Sequence, residues 1–130
     1  DYNKVHTSTA GPAAFDLPMV VLVNNDTASG AEVLAVALRD NQRAKLIGTT
    51  TFGKGTVQNV VKFTTAEETD PTTGKSKPRA AVRITMARLL APSGNPITGV
   101  GVTPDFIETD KERQLELANQ QARELARSMR

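Results

Sequence analysis

The sequence has no cysteine, no tryptophan, a single histidine and only 4% aromatic residues. Without cysteine there is no disulfide, no thiolate metal ligand and no cysteine nucleophile. The one histidine, His6, lies in a polar stretch, so a Ser–His–Asp triad is not expected. With so few aromatics, the core has to be built from Val, Leu, Ile and Ala. Apolar residues make up 38% of the 130 positions, enough for the core of one domain or part of one. Neither sign of charge dominates: 16 basic and 14 acidic residues leave a formal +2. That balance lacks the basic stripe of a nucleic-acid binder, and no nucleic-acid partner is expected. No apolar run approaches the roughly 18 residues of a membrane span. Residues 1–9 are polar and do not read as a secretory signal. The chain starts at Asp1 rather than at a methionine, so it is expected to be an excised or processed piece of a longer protein.

Residues 1–17, with Gly11 and Pro12, read as an irregular leading segment. After Pro18, the run 19–23 has the length and valine content of a strand buried on both faces. From 31 to 38 only Glu32 is polar. That leaves no solvated face and predicts a buried helix, with 39–43 as its polar end. Residues 45–48 predict a short strand, and 56–63, rich in β-branched residues, another. Residues 65–79 are polar with two prolines and read as an exposed hairpin loop; 80–90 then predict the returning strand. Residues 91–104 are too rich in Gly and Pro for regular structure, and 106–107 add one more short strand. Thr109 and Glu112 match a capping box. Beyond it, Leu115, Ala118, Ala122, Leu125 and Met129 form the stripe of a helix that packs on the domain. Strand–helix–strand followed by antiparallel strands predicts an α/β architecture with a mixed sheet.

Two stretches carry candidate chemistry. The first is TASGAE, 27–32, where a strand gives way to a helix. Ser29 with Glu32 fits a capping box, in which the serine only ends the helix. A hydroxyl at that place also sits beside free N–H groups and the positive end of the helix dipole, which can stabilise an oxyanion in acyl transfer. The residues alone leave both readings open. The G-x-S-x-G elbow is absent, because Thr27 and Ala31 stand at its glycine positions.

The second stretch is TFGKGTVQ, 51–58. Glycines on both sides of Lys54 let the backbone approach closely and take unusual angles. Gly48 to Lys54 reads G-x-x-x-x-G-K, but Gly55 stands where a phosphate-binding loop has Ser or Thr, and a strand follows instead of a helix. A nucleophilic Ser29 needs a base other than histidine. Lys54 is the candidate, since serine–lysine pairs are a known variant of the triad. Such a base must be largely neutral, whereas an ordinary lysine titrates near ~10.4. Burial beside apolar groups such as Phe52 would favour the neutral form. In an extended segment Lys54 and Gln58 share a face, where Gln58 can accept a hydrogen bond from the amine. The plainer reading makes Lys54 a solvated loop cation and Gln58 an edge residue.

Four stretches in order resemble the carboxy-terminal processing peptidases, also called tail-specific proteases: PMVVLVN (18–24), TASGAE with its apolar helix (27–38), RAKLIGTTTFGKGTVQ (43–58) and APSGNPITGVGVTPD (91–105). Members carry an S-A-S-A-S-E-like segment whose middle serine is the nucleophile, here Ser29. The F-G-K-G-[ST]-V-Q segment supplies the lysine, here Lys54, at the family spacing. Gln58 stands where members place a lysine-orienting Gln or Glu. Gly30 and Ala31 replace the small Ala and Ser that commonly follow the nucleophile, and Gly30 N–H is the implied oxyanion donor. The resemblance implies a ClpP/crotonase-like mixed sheet with packed helices. Residues 18–108 would be the C-terminal part of a catalytic core, and 109–130 a C-terminal amphipathic helix. It implies a serine endopeptidase that cuts proteins near their C-termini through an acyl-enzyme, without cofactor or metal. Its partners would be protein or peptide substrates, in an extracytoplasmic setting such as the periplasm or cell envelope. Members also carry an upstream N-P-G-G-type segment and a PDZ domain, which this chain does not contain. Little proteolysis by the chain alone, and self-association through its apolar helix, are therefore expected. The alternative is a non-catalytic peptide-binding relative of the same fold.

Overall fold

The structure, a computed structural model, describes residues 5, 7, 9, 11, 17–63, 67–78 and 80–128. His6, most of the leading segment and Met129 fall outside these residues. In chain order the elements are β1 (Val20–Val23), α1 (Gly30–Asp40), β2 (Lys45–Gly48), β3 (Thr56–Lys62), β4 (Glu67–Thr69), β5 (Ser76–Pro78), β6 (Ala81–Arg88), β7 (Phe106–Ile107) and α2 (Lys111–Ser128). The class is α/β as expected, but the sheet is not a single mixed one. β1, β2 and β7 form a parallel sheet with β2 in the middle, while β3–β6 and β4–β5 are separate antiparallel ribbons. Both edges of β2 are taken by parallel partners, so the long ribbon pairs only with itself.

The stretch expected as a loop, 65–79, instead contains the β4–β5 hairpin, with Thr69 opposite Ser76. Asp70 builds its turn. The carboxylate oxygen Oδ1 accepts from Thr72 Oγ1 at 2.6 Å and from Thr72 N at 2.8 Å, the Asx-turn geometry that competes with open loop. The Thr72 hydroxyl, foremost among these donors, holds the Asp70 carboxyl down at about 2.

The core gathers Val23 of β1, Ala35 and Val36 of α1, Leu46 of β2, and Ala91, Ile97 and Val102 from the Gly- and Pro-rich stretch. In a parallel sheet paired residues share a face, so Val21, opposite Leu46, joins Val23 on the α1 side. Ile47 is equally buried but lies outside that cluster. It points to the other face, where α2 lies against β1 and β2.

Two expectations about burial are corrected. Helix α1 is not buried all round: Leu34 is 62% exposed and Val33 also reaches solvent. Strand β1 is not buried on both faces, because Leu22 is 46% exposed. On α1 the outward face has no cover among the described residues, while on β1 the face that carries Leu22 is covered only in part by α2. Helix α2 is also re-registered. Its N-cap is Asp110 rather than Thr109, since Asp110 Oδ1 accepts from Glu112 N at 3.0 Å and Arg113 N at 2.9 Å. The half-buried stripe runs through Gln114, Leu117, Ala118, Gln121, Ala122 and Leu125, and leaves Leu115 exposed.

Leu46→Ala removes a side chain with 0% exposure and is expected to cost about 2–5 kcal/mol in denaturant unfolding. Leu34→Ala, on the solvent side of α1, is expected to stay within about 0.5 kcal/mol. Equal losses at the two positions would contradict this placement of the core.

Candidate active site

A carboxylate in an apolar helix has to be satisfied by hydrogen bonds if it is buried. Glu32, on the first turn of α1, is 0% exposed. Its oxygen Oε1 accepts from Thr51 Oγ1 at 2.5 Å and from Gly53 N at 2.6 Å. Its oxygen Oε2 accepts from Ser29 N and Lys54 N, each at 2.8 Å. Burial works to raise the Glu32 pKa, but the bonds from Thr51, Gly53, Lys54 and Ser29 outweigh it and hold the group below its ordinary range. The carboxylate thus ties the start of α1 to the 51–54 loop. Thr51 carries the link further: its Oγ1 accepts from Val102 N at 2.8 Å. The sequence reading took Glu32 as a capping partner only. Its solitude as the one charge in an apolar run was the signal that it has buried partners elsewhere.

Ser29 is the N-cap of α1, at φ 56° and ψ −120°. A non-glycine residue held there costs on the order of 1–3 kcal/mol, and such residues cluster at active sites. Its N–H is fixed by Glu32 and its carbonyl accepts from Glu32 N and Val33 N, so the strain is held from both sides. The capping box expected from the sequence is present: the Ser29 side chain faces the Glu32 N–H, and the Glu32 carboxylate accepts from Ser29 N.

Ser29, Gly30, Lys54 and Gln58 line one open groove of about 480 Å³, together with Thr56, Val57, Val60, Arg83 and Leu89. All four residues singled out from the sequence therefore meet in one place. Gly30 is the first residue of α1, so its N–H has no partner within the helix. Gln58 Nε2 donates to Thr85 Oγ1 across the ribbon at 3.4 Å, and its carbonyl oxygen has no donor among the described residues. One local expectation fails. Phe52 is 67% exposed and Lys54 is exposed as well, so Phe52 does not bury the amine. The Phe52 N–H is committed to Thr27 O at 3.0 Å, which fixes its backbone while its ring stays in solvent.

The two glycines around Lys54 have separate reasons. Gly53 sits at φ 91°, where side chains are strained. Gly55 has an ordinary φ, but a Cβ there would come within 2.7 Å of Thr98 N and 2.9 Å of Ile97 Cβ. The stretch 97–102 presses directly on 51–55, joined by Gly99 N to Gly53 O at 2.9 Å and Thr51 N to Val102 O at 3.2 Å. The segment after Gly48 leads into strand β3, not a helix, so the G-x-x-x-x-G-K pattern lacks the helix a phosphate-binding loop requires.

Glu32→Ala leaves buried donors unmet and is expected to cost about 3–5 kcal/mol, with loss of amide-exchange protection at Gly53 and Lys54. The lowered Glu32 pKa gives the pH dependence. Its contribution is complete above the ordinary carboxyl pKa and is lost as pH falls through the folded value. Unfolding titrations should show that acid-side loss in the wild type and not in Glu32→Gln. Unchanged protection at both amides in the Ala variant would show that the clamp is dispensable.

Comparison with known proteins identifies the family. The profile of Peptidase family S41 matches residues 1–107. A carboxyl-terminal-processing protease of Synechocystis sp. is 41% identical over 97 residues, covering 75% of this chain and 20% of the relative. A carboxy-terminal-processing protease of Bartonella bacilliformis is 38% identical, over 75% of this chain and 19% of its own length. Among solved structures, a photosystem II D1 C-terminal processing protease superposes with a TM-score of 0.56 at 38% identity, covering 81% of this chain and 25% of that one. The chain spans about a fifth of the length of these curated relatives. It belongs to Peptidase family S41, among proteases of the carboxyl-terminal-processing kind.

Proposed function

We propose that this chain carries the reacting groups of a serine endopeptidase that cuts proteins near their C-termini. Ser29 Oγ attacks the peptide carbonyl while Lys54 Nζ takes its proton and later hands it to the leaving amine. Gly30 N–H stabilises the oxyanion, and Gln58 accepts a hydrogen bond from the amine and orients it. Water, activated by the same lysine, then hydrolyses the acyl-enzyme and returns Ser29. The observation that carries this reading is the shared anchor of nucleophile and base: Ser29 N–H and Lys54 N–H bond to the same oxygen of Glu32, and both side chains line one groove. The strained backbone of Ser29 points the same way. Lys54 stands in solvent here, so a substrate laid along the groove is what excludes water from the amine.

In this reading residues 18–108 are the C-terminal part of a ClpP/crotonase-like catalytic core, and α2 is the packed terminal helix. The reaction needs no cofactor. Its partners are protein or peptide substrates in an extracytoplasmic compartment; among the described residues no helix is long and apolar enough to cross a membrane. The solvent-facing side of α1 supports self-association of the isolated chain.

Ser29→Ala is expected to abolish hydrolysis of an unstructured protein in the full-length enzyme, at a stability cost of at most about 1 kcal/mol. Lys54→Arg should be as inactive as Lys54→Ala, because a guanidinium stays protonated and cannot accept a proton. A sulfonyl fluoride should label Ser29 in the wild type and not in the Lys54 variants. Wild-type turnover in Ser29→Ala or Lys54→Arg would sink the assignment.

A further inference from the structure

The groove holds a cation for which the reaction just proposed has no use. Arg83, on β6, lines it beside Ser29, Lys54 and Gln58. Val60 pairs with Arg83 and Gln58 with Thr85, and cross-strand partners project to the same face of a ribbon. Gln58, Val60, Arg83 and Thr85 therefore share the face turned to the catalytic groups. Arg83 is exposed and makes no ion pair or hydrogen bond among the described residues. Not one of the nine lining residues is acidic, and the other cation is Lys54. Arg83 faces the groove with no carboxylate partner among the described residues.

We propose that Arg83 is a specificity-determining residue that receives a carboxylate of the substrate beside the scissile bond. This rests on the peptidase reading above. Lys54 must be neutral to act as base, which leaves Arg83 as the one lasting positive charge on the groove wall. A guanidinium binds a carboxylate through two parallel N–H···O bonds, which fix orientation as well as charge. The Val60–Arg83 pair lies two residues along the ribbon from the Gln58–Thr85 pair, or about 7 Å at ~3.4 Å per residue. An extended substrate passing Ser29 would present a side chain to Arg83 within about three residues of the cut. The shared chemistry is a carboxylate; it can be a Glu or Asp side chain or the C-terminal carboxylate of a short tail. Val57 and Val60 flank the same wall, so an apolar residue next to the acidic one suits the groove.

The test uses the full-length enzyme and matched peptides carrying Glu, Gln or Lys at each of the three positions on either side of the cut, each with a free or amidated C-terminus. The wild type is expected to favour Glu over Gln at one of these positions by about tenfold in kcat/KM, mostly through KM. Arg83→Gln should erase the preference, Arg83→Lys should keep part of it, and Arg83→Glu should turn it toward the Lys peptide. If free-terminus peptides are cut about tenfold better than amidated ones whatever side chain they carry, and Arg83→Gln removes that difference, the carboxylate is the chain terminus; if amidation has no effect and Arg83→Gln removes the Glu/Gln preference, it is the side chain. Cleavage that depends on Ser29 but shows the same Glu/Gln and free/amidated ratios in wild type and Arg83→Gln overturns the inference and leaves the peptidase reading standing. Cleavage that survives Ser29→Ala overturns the peptidase reading itself. Arg83 is exposed and without a partner among the described residues, so its variants are expected to melt as the wild type does; a shift in Tm with no change in preference would assign it a structural role instead.

Discussion

Four donors converge on one buried carboxylate, and the arrangement of the site follows from that convergence. Glu32 receives Ser29 N and Lys54 N on one oxygen and Thr51 Oγ1 and Gly53 N on the other. A charge at that depth is tolerated only because its acceptor capacity is filled. The consequence runs in both directions. The carboxylate needs the 51–54 loop in place to be stable, and the loop needs the carboxylate to hold Lys54 beside α1. Through Thr51 the same centre reaches Val102, so three segments remote in sequence are set by one side chain.

Around this centre the chain divides into a packed part and a projecting part. The packed part is the parallel sheet with α1, the 91–102 stretch and α2. The projecting part is the β3–β6 ribbon, on which every residue but Thr56 is exposed. The groove lies at their junction, with rigid helix-end groups on one wall and ribbon side chains on the other. In the proposed reading, chemistry and recognition fall to different elements: the helix end and the clamped loop would carry the reacting atoms, and the ribbon the side chains that meet the rest of a substrate.

Local pattern made the elements legible. Short valine-rich runs, β-branched alternation and the single-charge helix were enough to place β1, β2, β3, β6, β7 and α1 within a residue or two. Ser29, Lys54, Gln58 and Gly30 were legible because two short motifs flank them, and they do line one groove. What the sequence hid was pairing. Nothing local says that β3 and β6 would refuse the parallel sheet, or that 67–78 would close a hairpin on the Asx-turn of Asp70. Asp110 outcompeted Thr109 as a cap because its carboxylate reaches two N–H groups, a contest the S/T-x-x-E template does not weigh. Burial misled in the other direction: an all-apolar α1 reads as enclosed, yet Leu34 faces solvent. Arg83 gave no signal, because an arginine in a strand looks like any surface charge until its face is known.

The contact of 97–102 with 51–55 also has a meaning in time. Gly55 packs within van der Waals reach of Ile97 and Thr98, and Thr51 is bonded on both sides to Val102. A chain emerging from the ribosome releases its N-terminal parts first. When residues up to 90 are out, the serine and the lysine both exist, but the stretch that braces the lysine's loop does not. The 51–54 loop, and the groove wall that Lys54 forms, are therefore set only after the PSG segment has arrived and docked.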